Sequence, residues 1–301
     1  MTCDDGDAMN DKWELRSRRA LPASATGVHS DGLGWFVSWT GCAVMGIVNV
    51  TPDSFSDGGL FATTERAVEH GRLLAAQGAL IVDVGGESTR PGAVEVPISV
   101  ELERAIPVIE QLAADANALI SIDTRHAVVA AAAIEAGASI VNDIGGLRDP
   151  QMIETCAVAG VSVVVMHMRG TPSDMQVNPT YADVVSEVTE WLLRQAERSL
   201  EAGVASVMID PGLGFGKNLE HNLALLRALP LSDRFPVLVG GSRKRTVNEL
   251  IGRIRGANLD SGSIALHLFA AQRGAAMVRV HDVAGHRQAL DVDRALRSEP
   301  S

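Results

Sequence analysis

The sequence predicts an α/β fold, a single-domain (β/α)8 barrel preceded by a hairpin-like strand, and two observations carry that prediction. Short, continuously apolar runs, each ending on a polar residue or a glycine turn, alternate with helix-length segments. Eight such units follow one another, and about 250 residues is the usual span of an eight-unit barrel. Apolar runs without alternation suit parallel strands buried on both faces, and the intervening segments are long enough for the crossovers that parallel pairing demands.

Residues 1–32 are polar, rich in Asp, Arg, Ser and Ala, and lack a sustained period, so they read as a flexible extension before a domain spanning 33–298. In Trp35–Trp39 aromatic and aliphatic residues alternate, and Thr40 and Gly41 can turn the chain back into the first run. This predicts a hairpin strand that packs across the N-terminal mouth of the barrel. The strand runs are then Ala43–Val48 ending at Asn49, Ala79–Val82 at Asp83, Leu119–Ile122 at Asp123 and Ser139–Val141 at Asn142. They continue with Val161–Met166 at His167, Val207–Ile209 at Asp210, Val237–Val239 at Gly240 and Gly241, and Ala275–Val280, which carries Arg279 and precedes His281. Between them, Thr63 and Thr64 suit an N-cap for a helix to Gln77 that Gly78 stops. Ser99–Ala114, Arg125–Glu135 and Tyr181–Ala202 read as further helices.

The bulk composition bounds the function. Lys and Arg number 26 against 37 Asp and Glu, a formal net charge of -11, which argues against a general nucleic-acid or anionic-membrane binder. An anionic ligand therefore needs a local cationic cluster. Cys3, Cys42 and Cys156 lack metal-ligand spacing and suggest neither a disulfide framework nor a zinc site, consistent with a reducing cytoplasm. No apolar run approaches the roughly 20 residues of a membrane span, and the acidic start does not resemble a secretory signal.

Active sites of such barrels lie at the C-terminal ends of the strands. Asp83, Asp123, Asn142 and Asp210 converge there, although each taken singly could cap the following helix. Ionised Asp is acceptor-only, and Asn serves donor and acceptor edges, so the set suits a flat heterocycle rich in N–H groups better than a transition metal. Ser242, Arg243, Lys244 and Arg245 follow the Gly240–Gly241 turn where a helix should begin, so backbone N–H groups and side-chain cations together favour an anion. Arg279 and His281 add cations from the last strand. Two long polar loops, Thr51–Gly59 and Gly85–Gly92, complete the mouth as candidate lids, with Phe55 and Pro91 as apolar walls.

In order and spacing, Asn49–Gly59, Asp83–Gly92, Ser121–Thr124, Asn142-Asp143, Met166-His167-Met168, Asp210-Pro211-Gly212 with Phe215-Gly216-Lys217, Ser242-Arg243-Lys244 and Arg279-Val280-His281 resemble the dihydropteroate synthase family over residues 43–296. The resemblance implies a folate-pathway transferase that joins p-aminobenzoate to 7,8-dihydropterin-6-ylmethyl diphosphate and releases diphosphate. It places Asp83, Asp123, Asn142, Asp210 and Lys244 around the pterin, with Met166 and Phe215 against the ring. Of these, Asp123, Lys244, Asp210 and Asn142 are assigned to catalysis. Asn49 resembles the ligand of a diphosphate-bound Mg2+, and Arg279 and His281 the diphosphate contacts. Thr89, Arg90, Pro91, Phe55 and Ser242 match positions near p-aminobenzoate.

Thr246, where the family often has a bulkier apolar residue, and Pro97 depart from the pattern. The resemblance also implies a sulfonamide target, without fixing its sensitivity, and a homodimer that pairs through its last helices, for which Leu259–Ala271 offers an apolar face. A binding module without turnover and a methyl transferase acting on a reduced folate are the two competing readings. The cationic set argues against the first, and the diphosphate residues against the second.

Overall fold

Apolar runs that are buried on both faces have only one way to satisfy their backbone groups, which is pairing with one another on both edges. The computed structural model describes residues 12–22, 25, 27–51, 59–88, 95–172, 174–252 and 258–297. It begins with β1 (Lys12–Ser17), β2 (Val28–Asp31) and β3 (Gly34–Thr40), followed by β4 (Ala43–Asn49) and α1 (Gly59–Ala76). Next come β5 (Ile81–Gly85), α2 (Ile98–Asp115), β6 (Leu119–Asp123), α3 (Ala127–Glu135), β7 (Ile140–Asp143) and α4 (Pro150–Ala159). The chain continues through β8 (Ser162–Met166), α5 (Val184–Glu201), β9 (Ser206–Asp210), α6 (Leu219–Arg227) and β10 (Leu238–Val239). It ends with α7 (Arg245–Leu250), α8 (Asp260–Gln272), β11 (Met277–Val280) and α9 (Val283–Arg297).

Strands β4 to β11 form one parallel eight-stranded sheet in the order β10-β11-β4-β5-β6-β7-β8-β9. A parallel bridge between Ile209 and Val237 brings its two edges together. The fold is a (β/α)8 barrel, as the sequence predicts. Two apolar layers hold it. Residues on the outer strand faces, such as Val48, Val84, Ile122 and Val165, pack under the helices. Met45, Ile81, Leu119, Ile140, Val164, Met208, Leu238 and Met277 fill the lower interior.

The structure differs from the sequence expectation before residue 33. Lys12–Ser17 and Val28–Asp31 are strands that flank β3 on either side in an antiparallel sheet, so these residues are not a flexible extension. Nor does β3 form a hairpin with β4, because both of its edges are taken by β1 and β2. The expected position holds: Leu15, Leu21, Ala25 and Val37 join the lower interior cluster, and Trp39 Nε1 donates to the Ala276 carbonyl at 2.9 Å. Short alternating strands that bury one face against the barrel floor gain their stability there, which local composition does not record. Residues 1–11 lie outside the described ones.

Two helix starts also move. Thr63 and Thr64 lie inside α1 rather than capping it. The helix expected from Tyr181 begins at Val184, where the Asp183 carboxylate accepts from the Val185 and Ser186 N–H groups.

Candidate active site

Strand register stacks the interior side chains in layers, and the layer above the apolar floor is polar. Asp83 is level with Ile47 and Ser121, Asp123 with Gly85 and Asn142, and Asp210 with Met166. The four expected acceptors are brought together, and all are buried. Asn142 Nδ2 donates to Asp83 Oδ2 at 3.0 Å. Of the four, Asp123 lines a cavity of about 590 Å3, with Asn49, Phe215, Ser242, Lys244, Arg279 and His281 among others.

The sequence divided this site into an acidic floor and a cationic rim, and the structure joins the two. Arg279 Nε donates to Asp83 Oδ2 and its Nη2 to Asp123 Oδ2, each at 2.6 Å. Two of its five N–H donors are thereby spent on the floor. Asp83 Oδ1, Asp123 Oδ1 and Ser121 Oγ are buried and meet no hydrogen-bond partner among the described residues. Burial pushes the Asp123 carboxyl up to about 7 against the pull of Arg279, with Asp83, Glu101 and Asp143 adding like-charge repulsion. Burial also raises Asp210, opposed by Lys244 and by the Gly212 N–H, which donates to its Oδ1 at 2.7 Å.

Lys244 is pushed down to about 8 by burial despite Asp210. Its Nζ donates to the Leu213 carbonyl at 2.8 Å and sits 4.4 Å from the centre of the Phe215 ring. Phe215 joins Met166, Met168, Met175 and Ile144 in an apolar wall. The cavity thus offers acceptor oxygens below, a flat apolar wall at one side and cations beside it.

Three of the backbone N–H groups expected to face an anion at residues 241–245 are taken by acceptors of the protein itself. The Gly241 N–H donates to His267 Nε2, the Arg243 N–H to Ser263 Oγ, and the Lys244 N–H to the Gly241 carbonyl. Helix α7, whose N-cap is Lys244, is only one and a half turns long. Ser242 Oγ lies 2.9 Å from His281 Nδ1 and also accepts from the His281 N–H at 3.2 Å. Arg243 faces the cavity, but its guanidinium is paired with Asp260 at 2.6 and 2.9 Å. The Thr246 hydroxyl accepts from Asn222 Nδ2, whose carbonyl receives the Gly214 N–H, which accounts for a threonine there.

Phe55, Thr89, Arg90 and Pro91 lie outside the described residues. The ends of the second loop are described: Glu87 Oε1 accepts from the Val96 N–H at 3.2 Å, and Arg125 pairs with Glu87 at 3.3 Å and with Glu95 at 2.8 Å. Arg125 follows Asp123 by two residues, so the loop is tied to the strand that carries the central acid.

Sequence reasoning gave Lys217 no role. Its buried Nζ donates to the carbonyls of Phe215, Gly212 and His167 at 3.0, 3.1 and 3.2 Å and lies 3.0 Å from His167 Nδ1. Burial lowers Lys217 to about 7, and burial with the Lys217 charge lowers His167 to about 3, so His167 serves the loop's structure. Gly212 (φ +65) lets this loop approach, since a Cβ there would fall 2.0 Å from the His167 carbonyl oxygen. A lysine followed by Asn-Leu reads as solvent-facing in sequence, and only the alternating glycines at 212, 214 and 216 hinted that the loop folds over it.

Asn49 ends β4 level with Gly85. A Cβ at Gly85 would stand 3.6 Å from Asp123 Cβ and 3.9 Å from Asn49 Oδ1, so the glycine keeps the space between the two side chains open. A single amide oxygen facing that space fits Mg2+, which takes few protein ligands and prefers substrate phosphates and water for the rest.

An acceptor-rich barrel mouth with an aromatic wall and adjoining cations defines an enzyme that binds a flat, N–H-rich heterocycle bearing an anionic group. Residues 45–281 match the family model of pterin binding enzymes. The dihydropteroate synthase of Escherichia coli K12 is 46% identical over 259 residues, covering 85% of this chain and 92% of that protein. Among solved structures, the Xanthomonas albilineans dihydropteroate synthase with 4-aminobenzoic acid superposes with a TM-score of 0.81 at 48% identity, over 87% of this chain and 96% of that one. The same enzyme in complex with 7,8-dihydropteroate gives a TM-score of 0.78 at 45% identity, over 87% and 97%. The chain belongs to the pterin-binding enzymes. Within them it is a member of the dihydropteroate synthase family, transferases of folate biosynthesis.

Proposed function

We propose that the barrel with its three-stranded floor, residues 12–297, forms the catalytic domain and condenses 7,8-dihydropterin-6-ylmethyl diphosphate with p-aminobenzoate to give 7,8-dihydropteroate and diphosphate. The observation that carries this reading is the pair of buried oxygens, Asp83 Oδ1 and Asp123 Oδ1, that meet no donor among the described residues, Asp123 lying on a cavity rimmed by Lys244, Arg279 and His281. Ring N–H and NH2 groups of a pterin supply the missing donors, and Phe215 and Met166 supply a face for the ring.

In the reaction the methylene C–O bond breaks, its electron pair leaves with diphosphate, and the aryl amine nitrogen forms the new C–N bond and then loses a proton. Positive charge develops on the pterin methylene and negative charge on the leaving oxygen. Ionised Asp123 and Asp210 oppose the first, and Ser242, His281 and the remaining Arg279 donors hold the second, all fixed before the bond breaks. Lys244 lies over Phe215, and its charge favours the ionised form of Asp210. Mg2+ held at Asn49 would add further charge neutralisation at the diphosphate oxygens. No protein nucleophile is needed, because the amine attacks carbon directly.

The exposed Phe269 on α8 and exposed Val292 and Leu296 on α9 support pairing of two copies through the last helices. No helix among the described residues is long and apolar enough to cross a membrane; the kinship with bacterial folate-pathway enzymes supports a cytoplasmic site of action.

The test is diphosphate release by the purified chain with Mg2+. Release is expected only when both substrates are present and should be competed by a sulfonamide against p-aminobenzoate. Binding of the pterin without turnover would replace this reading with that of a non-catalytic pterin-binding module.

A further inference from the structure

Helix α8 lies beneath the turn that carries Ser242, Arg243 and Lys244. Two of its buried side chains, one turn apart, take that turn's backbone N–H groups: Ser263 Oγ takes Arg243 and His267 Nε2 takes Gly241, both at 2.9 Å. The approach is close enough that a Cβ at Gly241 would fall 2.7 Å from Leu266 and 3.2 Å from His267 Nε2. His267 Nδ1 then lies 2.9 Å from Nε2 of His286 on α9, whose Nδ1 contacts the Asp282 carbonyl oxygen. Both rings are 1% exposed.

The two ends of this chain fix every proton in it. A carbonyl oxygen only accepts, so His286 Nδ1 carries a hydrogen and, in the neutral ring, its Nε2 accepts. His267 Nδ1 must therefore donate, which leaves its Nε2 as the acceptor that the Gly241 N–H requires. Protonating His267 would set two donors face to face at Gly241, and protonating His286 would do the same between the rings.

We infer that His267 and His286 are a positioning pair for the transfer reaction: a neutral, one-directional hydrogen-bond chain, with both rings in the Nδ1–H form, that seats the Ser242–Lys244 turn against α8. The catalytic part of this inference rests on the function proposed above. The surroundings agree with it. Burial holds His267 well below its ordinary range, helped by His286, Lys244 and His281. His286 is lowered by burial against the opposing pull of the Asp282 carbonyl and carboxylate, the Ser263 carbonyl and Asp260.

The first test is the histidine ring 15N spectrum of the full chain, assigned with single His→Gln variants. Both rings are expected neutral with Nδ1–H from pH 8 to pH 5. An Nε2–H form of either ring, or an imidazolium at pH 6, overturns the inference. The second is kinetic. His267→Leu should raise KM for the pterin diphosphate about tenfold, the worth of one lost hydrogen bond, with a smaller change in kcat. His267→Gln, whose amide oxygen can accept from Gly241, should recover most of it. An unchanged KM in folded His267→Leu refutes the positioning role. A wild-type chain without turnover would count against the proposed function instead; the tautomers and the affinity of His267→Leu for inorganic diphosphate, expected to fall by a similar factor, would then decide the pair.

Discussion

Replacing Arg279 with methionine keeps the volume of the side chain but leaves Asp83 and Asp123 without the guanidinium that each meets at 2.6 Å. Removing one partner of a buried ionic cluster costs about 3–5 kcal/mol, since the remaining charge stays desolvated. The cost should depend on pH with a definite sign. Asp123 is already raised to about 7 with the arginine in place, and without it the carboxyl rises further. A carboxyl raised on folding binds its proton more tightly in the native state, so stability falls as pH increases through the folded value. Between pH 6 and 8 a wild-type group at about 7 loses about 1.4 kcal/mol, while a group that stays protonated across that range loses about 2.7 kcal/mol. Arg279→Met should therefore be destabilised by up to about 1.3 kcal/mol more at pH 8 than at pH 6. Urea unfolding at both pH values measures this. Equal destabilisation at the two, or a total below about 1 kcal/mol, would show that the guanidinium does not neutralise this floor.

Asp123→Asn should lose turnover by at least about a hundredfold, the scale of one electrostatic group at a developing charge, while remaining folded, because an amide is less costly to bury than a carboxylate; steady-state diphosphate release and a thermal melt check both halves. Lys244 is pushed down to about 8, so its charge is lost as pH rises through that value: kcat/KM should decline above about pH 8, and a Lys244→Met variant, slower throughout, should lack that limb in a pH–rate profile. Gly85→Ala places a methyl 3.6 to 3.9 Å from Asp123 and Asn49, ordinary contact distances, and should leave the melting temperature nearly unchanged while raising the Mg2+ concentration needed for half-maximal rate. Leu15→Ala opens a hole between β1 and the barrel floor and should cost about 2–5 kcal/mol in denaturant unfolding without altering KM; a negligible loss would mean that the three-stranded sheet does not plug the barrel.

The barrel was legible because its signal is local: the run Leu119–Ile122, apolar but for Ser121, and the polar stop at Asp123 both lie within one strand. Asp83, Asp123, Asn142 and Asp210 were legible as a set for the same reason, since each is the last inward residue of its run. The three-stranded sheet was not. Lys12–Ser17 and Val28–Asp31 are mixed in polarity and bury only the face that the barrel floor covers, so nothing in their own composition separates them from a polar tail. The Ser242–Lys244 turn was found from its glycines and cations, but the partners of its backbone were not, because His267 and Ser263 sit mid-helix where a lone polar residue reads as packing.

By itself the sequence determined the order of strands and helices and the kinds of groups at the barrel mouth, because hydrophobic period and turn residues act over a few positions. Tertiary structure alone decided which groups meet. Arg279 stands 196 residues from Asp83 and 156 from Asp123, and only closure of the barrel sets its guanidinium between them, turning two separate chemical sets into one neutralised floor. The same closure brings α8 and α9 beneath the cationic turn, where two histidines with no signal in the chain become acceptor and donor in a single chain of hydrogen bonds.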